Sequence, residues 1–497
     1  MSKLALTYYL KANRIFNNWR KFAWIFVPVI AFGGLLYPRL GLLVGLIMLT
    51  IMFLGLFRGK YWCGNLCPHG SLFDYLALPV SLNRKIPAFF KSPVTKWLFF
   101  IFYMFMFAQR LSNVMPFWGS ALFPDRLGYL FTRQYLLMPT VVGLSLSIIS
   151  PRTWCSFCPM GTFGQLMYKL GKLLRINGNT DQKVTIEAKE KCHRCATCAR
   201  VCPMQLEPYR NFNEQNQFAD ENCIRCSTCV EHCPANLLWM ANTANGRRIR
   251  ENVDLEGFER RMPLQAVVEE IKPLADDVKE ITFRLVDPVE VDYNPGQFIL
   301  VKVSAEPEVY RAYSISSSDL KDRSRLRVTV QRVPGGYGSN IIHEQFEVGM
   351  PVELEGPMGN KLVVHREAKR VLLVAGGIGI TPFVPVVKTL LEGSNSIVDL
   401  KLIYGVNKPD QFIYADYFEK LSAKSGKFEL IKTVAFPDED WRGYRGFVTD
   451  VMKQMDLEGY KIYLCGPRPM VDAALRLIEE IGSEKGIARG DVYYESA

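Results

Sequence analysis

Eight cysteines in two identical runs carry the clearest chemistry in the chain. Cys192, Cys195, Cys198 and Cys202, followed by Pro203, repeat as Cys223, Cys226, Cys229 and Cys233, followed by Pro234. Tandem C-x2-C-x2-C-x3-C-P runs supply thiolates for two 4Fe-4S clusters, the fourth cysteine of each run reaching across to the other cluster. Cys192, Cys195, Cys198 and Cys233 are expected to share one cluster, and Cys223, Cys226, Cys229 and Cys202 the second. Zinc is the competing reading, but its sites close with two C-x2-C pairs or with histidines.

Two further pairs stand nearer the start, Cys63-x3-Cys67-Pro68 and Cys155-x2-Cys158-Pro159, each preceded by a tryptophan, Trp62 and Trp154. Four thiolates meeting at one place are the number a cubane requires, so a third 4Fe-4S cluster is expected there. Metal-free structural or redox thiols are the alternative. Of the 13 cysteines, 12 fall between Cys63 and Cys233. Such clustering in a long chain argues for reduced, metal-ligating thiols over a disulfide framework. A bis-histidine haem is disfavoured, because only His69 of the five histidines lies in the first 175 residues.

The elements that must position these residues begin with apolar runs at 23–37, 40–57, about 97–122 and about 135–149, read as four membrane spans. The first 175 residues hold 19 Lys and Arg against 2 Asp and Glu; subtraction from 60 and 49 leaves 41 against 47 for the rest. The positive charge flanks the apolar runs, at Lys11, Arg14, Arg20 and Lys21, over 58–96, and after Arg152. Basic flanks of this kind mark cytoplasmic loops, so the two cysteine pairs are expected at the cytoplasmic face of the cell inner membrane. A lipid bilayer is thus the expected surroundings, and nucleic acid is not an expected partner. Residues 71–90 suit an interfacial or re-entrant segment.

Hydropathy falls from 176, where 176–190 reads as a polar linker, and 241–261 reads as a second. Beyond 262, short β-rich runs (280–286, 298–303, 326–333) broken by Pro and Gly predict an antiparallel barrel. From Arg370, alternating strands (371–375, 400–404, 461–465) and helices (383–391) predict a parallel α/β sheet. The fold class is multidomain: an α-helical membrane bundle at 1–175, a ferredoxin-like two-cluster module at 176–245, a β-barrel at 246–365 and an α/β nucleotide domain at 366–497.

The barrel carries Arg311-Ala312-Tyr313-Ser314, and an Arg fork suits a diphosphate through two parallel hydrogen bonds. The turn Gly335 to Asn340, with Gly338 and Ser339, opens a short helix whose free N–H groups suit phosphate. Gly356-Pro-Met-Gly359 closes the barrel. In the α/β part, Gly376, Gly377 and Gly379 with Thr381 and Pro382 follow a strand and open a helix, as a dinucleotide requires. Cys465, Gly466 and Pro467, with Met470, follow the last core strand, and the tail reads Val492-Tyr493-Tyr494-Glu495.

On these motifs, residues 262–497 resemble the ferredoxin-NADP reductase superfamily, close to the NAD-linked reductases of oxygenase systems. The resemblance implies FAD, with Arg311 at its pyrophosphate, Tyr313 beside the isoalloxazine and Ser314 near N5. It places Cys465, Gly466 and Pro467 by the nicotinamide ring, and Glu495 with one of the tail tyrosines near the flavin. Ser314, Cys465 and Glu495 are the catalytic candidates. Residues 190–240 resemble bacterial two-cluster ferredoxins. Residues 1–175 resemble the polyferredoxin-like membrane proteins of nitrate and nitrous-oxide reduction, although the second cysteine pair is one residue shorter.

Nicotinamide exchanges two electrons as a hydride and each cluster handles one, so a flavin must stand between them. The expected function is a membrane-bound NAD(P)H oxidoreductase passing electrons through FAD and 4Fe-4S clusters to a quinone or a membrane redox partner. A subunit of a larger membrane complex, or reverse flow reducing NAD(P)+, are the alternatives. NADH is preferred over NADPH: Asp410 favours a free ribose 2′-hydroxyl, whereas Lys408 would welcome a 2′-phosphate.

Overall fold

The computed structural model describes residues 8–259, 261–319, 321–365, 367–393, 397–482 and 489–496. The chain divides into two compact units, Met1–Cys192 with Ala196–Asp254, and His193–Cys195 with Leu255–Ala497.

In the first unit, three helices among the described residues are long and apolar enough to cross a membrane: α1 (Asn18–Leu36), α2 (Pro38–Arg58) and α3 (Pro93–Phe117). They leave large apolar side chains exposed, among them Phe32, Leu46, Phe53, Leu98 and Phe105. The fourth span expected from sequence is not among them. Its helical run starts at Phe123–Tyr135 (α4), widens into a π-type turn over Leu136–Val142 around Pro139, and ends in Gly143–Ser147. Asp125, Arg126 and Arg133 in its first half lower its hydropathy. Helix α5 (Pro159–Leu173) lies so close to α2 that a Cβ on Gly171 would sit 1.9 Å from the Leu56 carbonyl oxygen. Only a small residue permits that approach.

Both segments read as linkers are structured. Lys183–Ile186 forms β1, which pairs antiparallel with β2 (Leu238–Ala241), with Val184 opposite Met240 and Ile186 opposite Leu238. Val184 and Ile186 are buried, so the polar composition around them hid a β-branched, core-facing pair. Thr243–Glu251 is a helix whose N-terminus is capped by Asn242, which accepts from the Asn245 amide at 2.8 Å. The two cysteine runs repeat in backbone as in sequence. Arg194 and Ala196 have φ of 47° and 56°, and Arg225 and Ser227 have 56° and 60°. Left-handed residues spaced two apart bend the backbone so that successive N–H groups can line a concavity, the kind of backbone that surrounds iron-sulfur sites.

The second unit opens with six antiparallel strands: β3 (Pro263–Ala275), β4 (Val278–Asp287), β5 (Phe298–Ser304), β6 (Val309–Ser314), β7 (Arg325–Gln331) and β8 (Pro351–Met358). Their order is β6-β5-β8-β3-β4-β7, and a bridge between Ile315 and Val328 joins the two edges, closing the barrel. A six-stranded parallel sheet follows: β9 (Arg370–Gly376), β10 (Asp399–Val406), β11 (Phe428–Val434), β12 (Tyr444–Arg445), β13 (Tyr460–Gly466) and β14 (Val492–Ser496). Its order, β12-β11-β10-β9-β13-β14, reverses direction between β9 and β13. Val371 to Ala375 are fully buried, as strands covered by helices on both faces must be.

Candidate electron-transfer sites

The reversal between β9 and β13 creates a crevice at the carboxyl ends of the strands, where open α/β sheets bind their ligands. The glycine turn after β9 and the Cys465-Gly466-Pro467 turn after β13 meet there. A Cβ on Gly379 would lie 2.2 Å from the Cys465 carbonyl oxygen, and one on Gly376 would lie 2.3 Å from Met470 Sδ. Gly377 differs: its φ is 53° and its missing side chain faces open space. The three glycines therefore divide, two for close packing and one for an accessible left-handed turn. Thr381 is buried, its N–H donates to the Ile378 carbonyl at 3.2 Å, and its own carbonyl accepts from Val384 as helix Phe383–Gly393 starts after Pro382. Lys408 and Asp410 are both exposed just beyond β10, which is the neighbour of β9 on its other side.

On the barrel, Arg311, Tyr313 and Ser314 lie on the edge strand β6, all half-exposed. The helix Tyr337–Gln345 begins against Arg311, since a Cβ on Gly338 would stand 2.6 Å from the Arg311 Cγ. Guanidinium and helix N-terminus thus converge, a donor set suited to the phosphates of FAD. Ser339 Oγ accepts from the Val333 amide at 3.1 Å, so its side chain braces the turn while its backbone N–H stays in the first helical turn. Burial pushes the Tyr313 phenol upward, and Arg311 partly opposes that shift.

The tail adds β14 alongside β13, with Glu495 opposite Cys465 in register. Tyr493 stacks on Tyr463 with ring centroids 4.8 Å apart, whereas Tyr494 remains exposed. Tyr493 is thus packed against the sheet and Tyr494 is the exposed ring of the tail. Burial pushes the Cys465 thiol up, and Glu495 adds to the shift. Desolvation raises Glu495 from the ordinary 4.5 to about 7, with Lys361 opposing. A carboxyl raised in the fold stabilises the protein below its unfolded pKa, and that contribution is lost as pH rises through 7. NADH-driven reduction of ferricyanide is expected to show an inflexion near pH 7 that disappears in Glu495→Gln; an unchanged profile would remove Glu495 from the titrating group.

In the first unit, Cys202, Cys223, Cys226 and Cys229 line one pocket with Val184, Phe218 and Ile224. These four are the set expected to share a cluster, with Cys202 crossing from the other run. Among the described residues no three His, Cys, Asp or Glu side chains close on a point as tightly as a single metal ion requires. The cysteines ring a space instead, and thiolates around an apolar volume fit a cubane. Arg225 is buried over this site, donating to the Cys223 carbonyl at 2.6 Å and to both Asp181 oxygens at 3.3 Å.

The remaining pairs also converge. A Cβ on Gly161 would be 3.9 Å from Cys63 Sγ, from Cys158 Cβ and from Lys60 Cε. Gly70 donates to Cys67 Sγ at 3.4 Å, and Arg152 donates to Cys155 Sγ at 3.5 Å and to the Cys63 carbonyl at 3.1 Å. Burial pushes the Cys158 thiol up to about 12, so it is protonated at neutral pH until a metal displaces the proton. The buried Ser156 Oγ and Trp154 Nε1, flanking Cys155, have no hydrogen-bond partner among the described residues. Unpaired buried donors beside four thiols fit a group that carries acceptor sulfides.

Sequence reasoning missed the anchor beneath this site. Asp74 is buried and meets Arg152 at 2.7 Å, Arg14 at 3.5 Å and Arg20. Burial pushes its carboxyl up, but Arg152 and Arg20 outweigh that and hold it well below the usual range. A lone acid in a basic, apolar stretch was the available signal.

A barrel with an Arg-x-Tyr-Ser edge, a parallel sheet with its glycine turn at the switch point, and thiolate-ringed cavities together define an iron-sulfur flavin oxidoreductase. Family comparison agrees: residues 265–362 match the oxidoreductase FAD-binding domain and 373–476 the oxidoreductase NAD-binding domain. Residues 184–234 match a 4Fe-4S dicluster domain, and 40–87 with 132–177 match a 4Fe-4S binding domain. The chain is 30% identical over 238 residues to the ferredoxin–NAD(P)(+) reductase component of a Ralstonia naphthalene 1,2-dioxygenase/salicylate 5-hydroxylase system, covering 47% of this chain and 70% of that protein. It is 30% identical to NADH-cytochrome b5 reductase 1 of Emericella nidulans, covering 44% of this chain and 74% of that one. The glycine betaine monooxygenase reductase subunit of Chromohalobacter salexigens is 30% identical over 41% of this chain, and the chain spans 57% of its length. The chain belongs to the ferredoxin-NADP reductase superfamily, here with its FAD- and NAD-binding domains joined to 4Fe-4S domains.

Proposed function

We propose that this chain is a membrane-bound NAD(P)H oxidoreductase that delivers electrons from NAD(P)H, by way of FAD and 4Fe-4S clusters, to a quinone or a membrane redox partner. When bound, FAD takes up a hydride's two electrons and releases them singly, and each 4Fe-4S cluster carries one. Arg311 with the helix N-terminus at Gly338 would hold the flavin phosphates, Tyr313 and Ser314 would lie by its ring, and the turns at Gly377 and Gly466 would admit the nicotinamide dinucleotide. Cys192, Cys195, Cys198 and Cys233 would hold one cluster; Cys202, Cys223, Cys226 and Cys229 a second; Cys63, Cys67, Cys155 and Cys158 a third.

One observation carries this reading. A Cβ on Gly64, next to Cys63, would lie 2.0 Å from the Ile224 carbonyl oxygen and 3.2 Å from the Cys226 amide. Asn65 donates to the Arg225 carbonyl at 3.1 Å in the same place. The loop of the Cys63 pair is thus seated on the loop of the Cys223 run, bringing the two thiolate sets into direct backbone contact. The exposed apolar faces of α1, α2 and α3 supply the membrane side.

The test is NADH-driven reduction of a water-insoluble quinone by the full chain in liposomes. Gly64→Val is expected to lower it at least tenfold while NADH-driven ferricyanide reduction is retained. Equal effects on both would sink the relay. A second reading, delivery to a separate oxygenase component, draws on relatives that are reductase components of mono- and dioxygenases. It predicts no quinone reduction.

Asp410 at the end of β10 favours NADH. The kcat/KM ratio is expected to favour NADH and to fall in Asp410→Ala. A tenfold preference for NADPH, about 1.4 kcal/mol, that vanishes in Lys408→Ala would reverse this.

A further inference from the structure

Lys60 and Arg152 both stand at the Cys63, Cys67, Cys155, Cys158 group, and both are almost wholly out of solvent, 3% and 0% exposed. Neither is neutralised one to one. Among the described residues Asp74 is the single carboxylate paired with Arg14, Arg20 and Arg152, which leaves that buried cluster two charges in excess. Lys60 is a further buried amine, its Cε 3.9 Å from the same Gly161 Cβ position as Cys63 Sγ and Cys158 Cβ; burial disfavours its charge, and Cys63, Cys158, Cys155 and Asp220 favour it. The neighbouring Cys202, Cys223, Cys226, Cys229 group is set differently. Its buried cation, Arg225, is paired with Asp181 through both oxygens, and Lys183, 3.8 Å from the same carboxylate, leaves that group one charge in excess; Lys91, which acts on Cys202, is solvent-exposed.

Net charge, hydrogen bonds to sulfur and solvent exposure set the reduction potential of a 4Fe-4S cluster. One-electron reduction adds one negative charge without a bond being made or broken, so uncompensated buried cations favour the reduced form. We propose that Lys60 and Arg152 raise the potential of the cluster held by Cys63, Cys67, Cys155 and Cys158 above that of the cluster held by Cys202, Cys223, Cys226 and Cys229. This rests on the reading that these four cysteines hold a cluster. One electron leaves the second group, oxidising it by one, and reduces the first by one; no proton is needed. Lys60 and Arg152 are positioning residues for the final acceptor within the chain, and flow toward the membrane face follows from their charge.

The experiment is an EPR-monitored redox titration of the full-length protein in detergent, with iron quantified per chain. Lys60→Gln is expected to shift one signal to lower potential by at least tenfold in the oxidised-to-reduced ratio, 59 mV for one electron, leaving the other signals in place. Lys60→Arg restores it. Arg152→Lys, which keeps the charge but loses the bond to Cys155 Sγ, shifts the same signal by less than tenfold. Three clusters with the membrane-face signal unmoved in Lys60→Gln and Arg152→Lys would overturn the assignment of these residues. A wild-type protein with iron for two clusters and no third signal would overturn the cysteine reading itself.

Discussion

Replacing Asp74 with Asn is expected to destabilise the first unit by about 3–5 kcal/mol, the cost of removing one partner from a buried ion pair. The estimate follows from what the substitution leaves behind. Arg14, Arg20 and Arg152 are 2%, 3% and 0% exposed, and all three lose their carboxylate at once. Asn preserves the volume and can still accept a hydrogen bond, so the loss isolates charge from packing. The native carboxyl lies well below its ordinary 3.8, so its stabilising contribution is complete above that pH and is lost as pH falls through the depressed value. Because Arg152 also bonds the Cys63 carbonyl and Cys155 Sγ, iron per chain is expected to fall with stability. Denaturant unfolding of the full-length protein in detergent measures the effect. A loss below about 1 kcal/mol would mean that water or a neighbouring group, not Asp74, balances the three arginines.

The second unit was legible because its signals are local. Strands such as 371–375 are unbroken apolar runs, and the glycine turn and the Cys465-Gly466-Pro467 turn each announce themselves within seven residues. The first unit hid what depends on distance along the chain. Arg14, Arg20 and Arg152 each read as a basic flank of a membrane run, and nothing in sequence joins residues 14, 20 and 152 to Asp74. Val184 and Ile186 were lost in a polar stretch because their partner strand lies past both cysteine runs, at Leu238–Ala241. The fourth apolar run is not among the three helices long and apolar enough to cross a membrane, because it continues a helix that starts with charged residues and widens around Pro139 at Leu136–Val142. The tandem spacing implies that Cys202 crosses into the second set, and Cys202 lines one pocket with Cys223, Cys226 and Cys229.

Gly379→Ala is expected to lower kcat/KM for NADH by at least a hundredfold, about 2.7 kcal/mol of transition-state stabilisation. A Cβ there would stand 2.2 Å from the Cys465 oxygen, 2.5 Å from its carbonyl carbon and 2.6 Å from the Gly466 Cα. All three are backbone atoms of the end of β13, held in register with β9 by the pairing of Cys465 with Ala375, so no flexible side chain can yield. The two turns must separate, and they are the two walls of the crevice at the switch point. Binding and hydride transfer need the dinucleotide positioned to within a fraction of an ångström, so a displacement of this size costs rate as well as affinity. Gly377→Ala provides the contrast: its side chain would meet open space, leaving only the strain of a φ of 53°, and a smaller loss is expected. Flavin content should be unchanged in both variants, because Arg311 and Gly338 lie on the barrel. Steady-state kinetics with NADH and ferricyanide, normalised to bound flavin, decides the matter: if Gly379→Ala retains more than a tenth of the native kcat/KM, the dinucleotide does not bind between these turns.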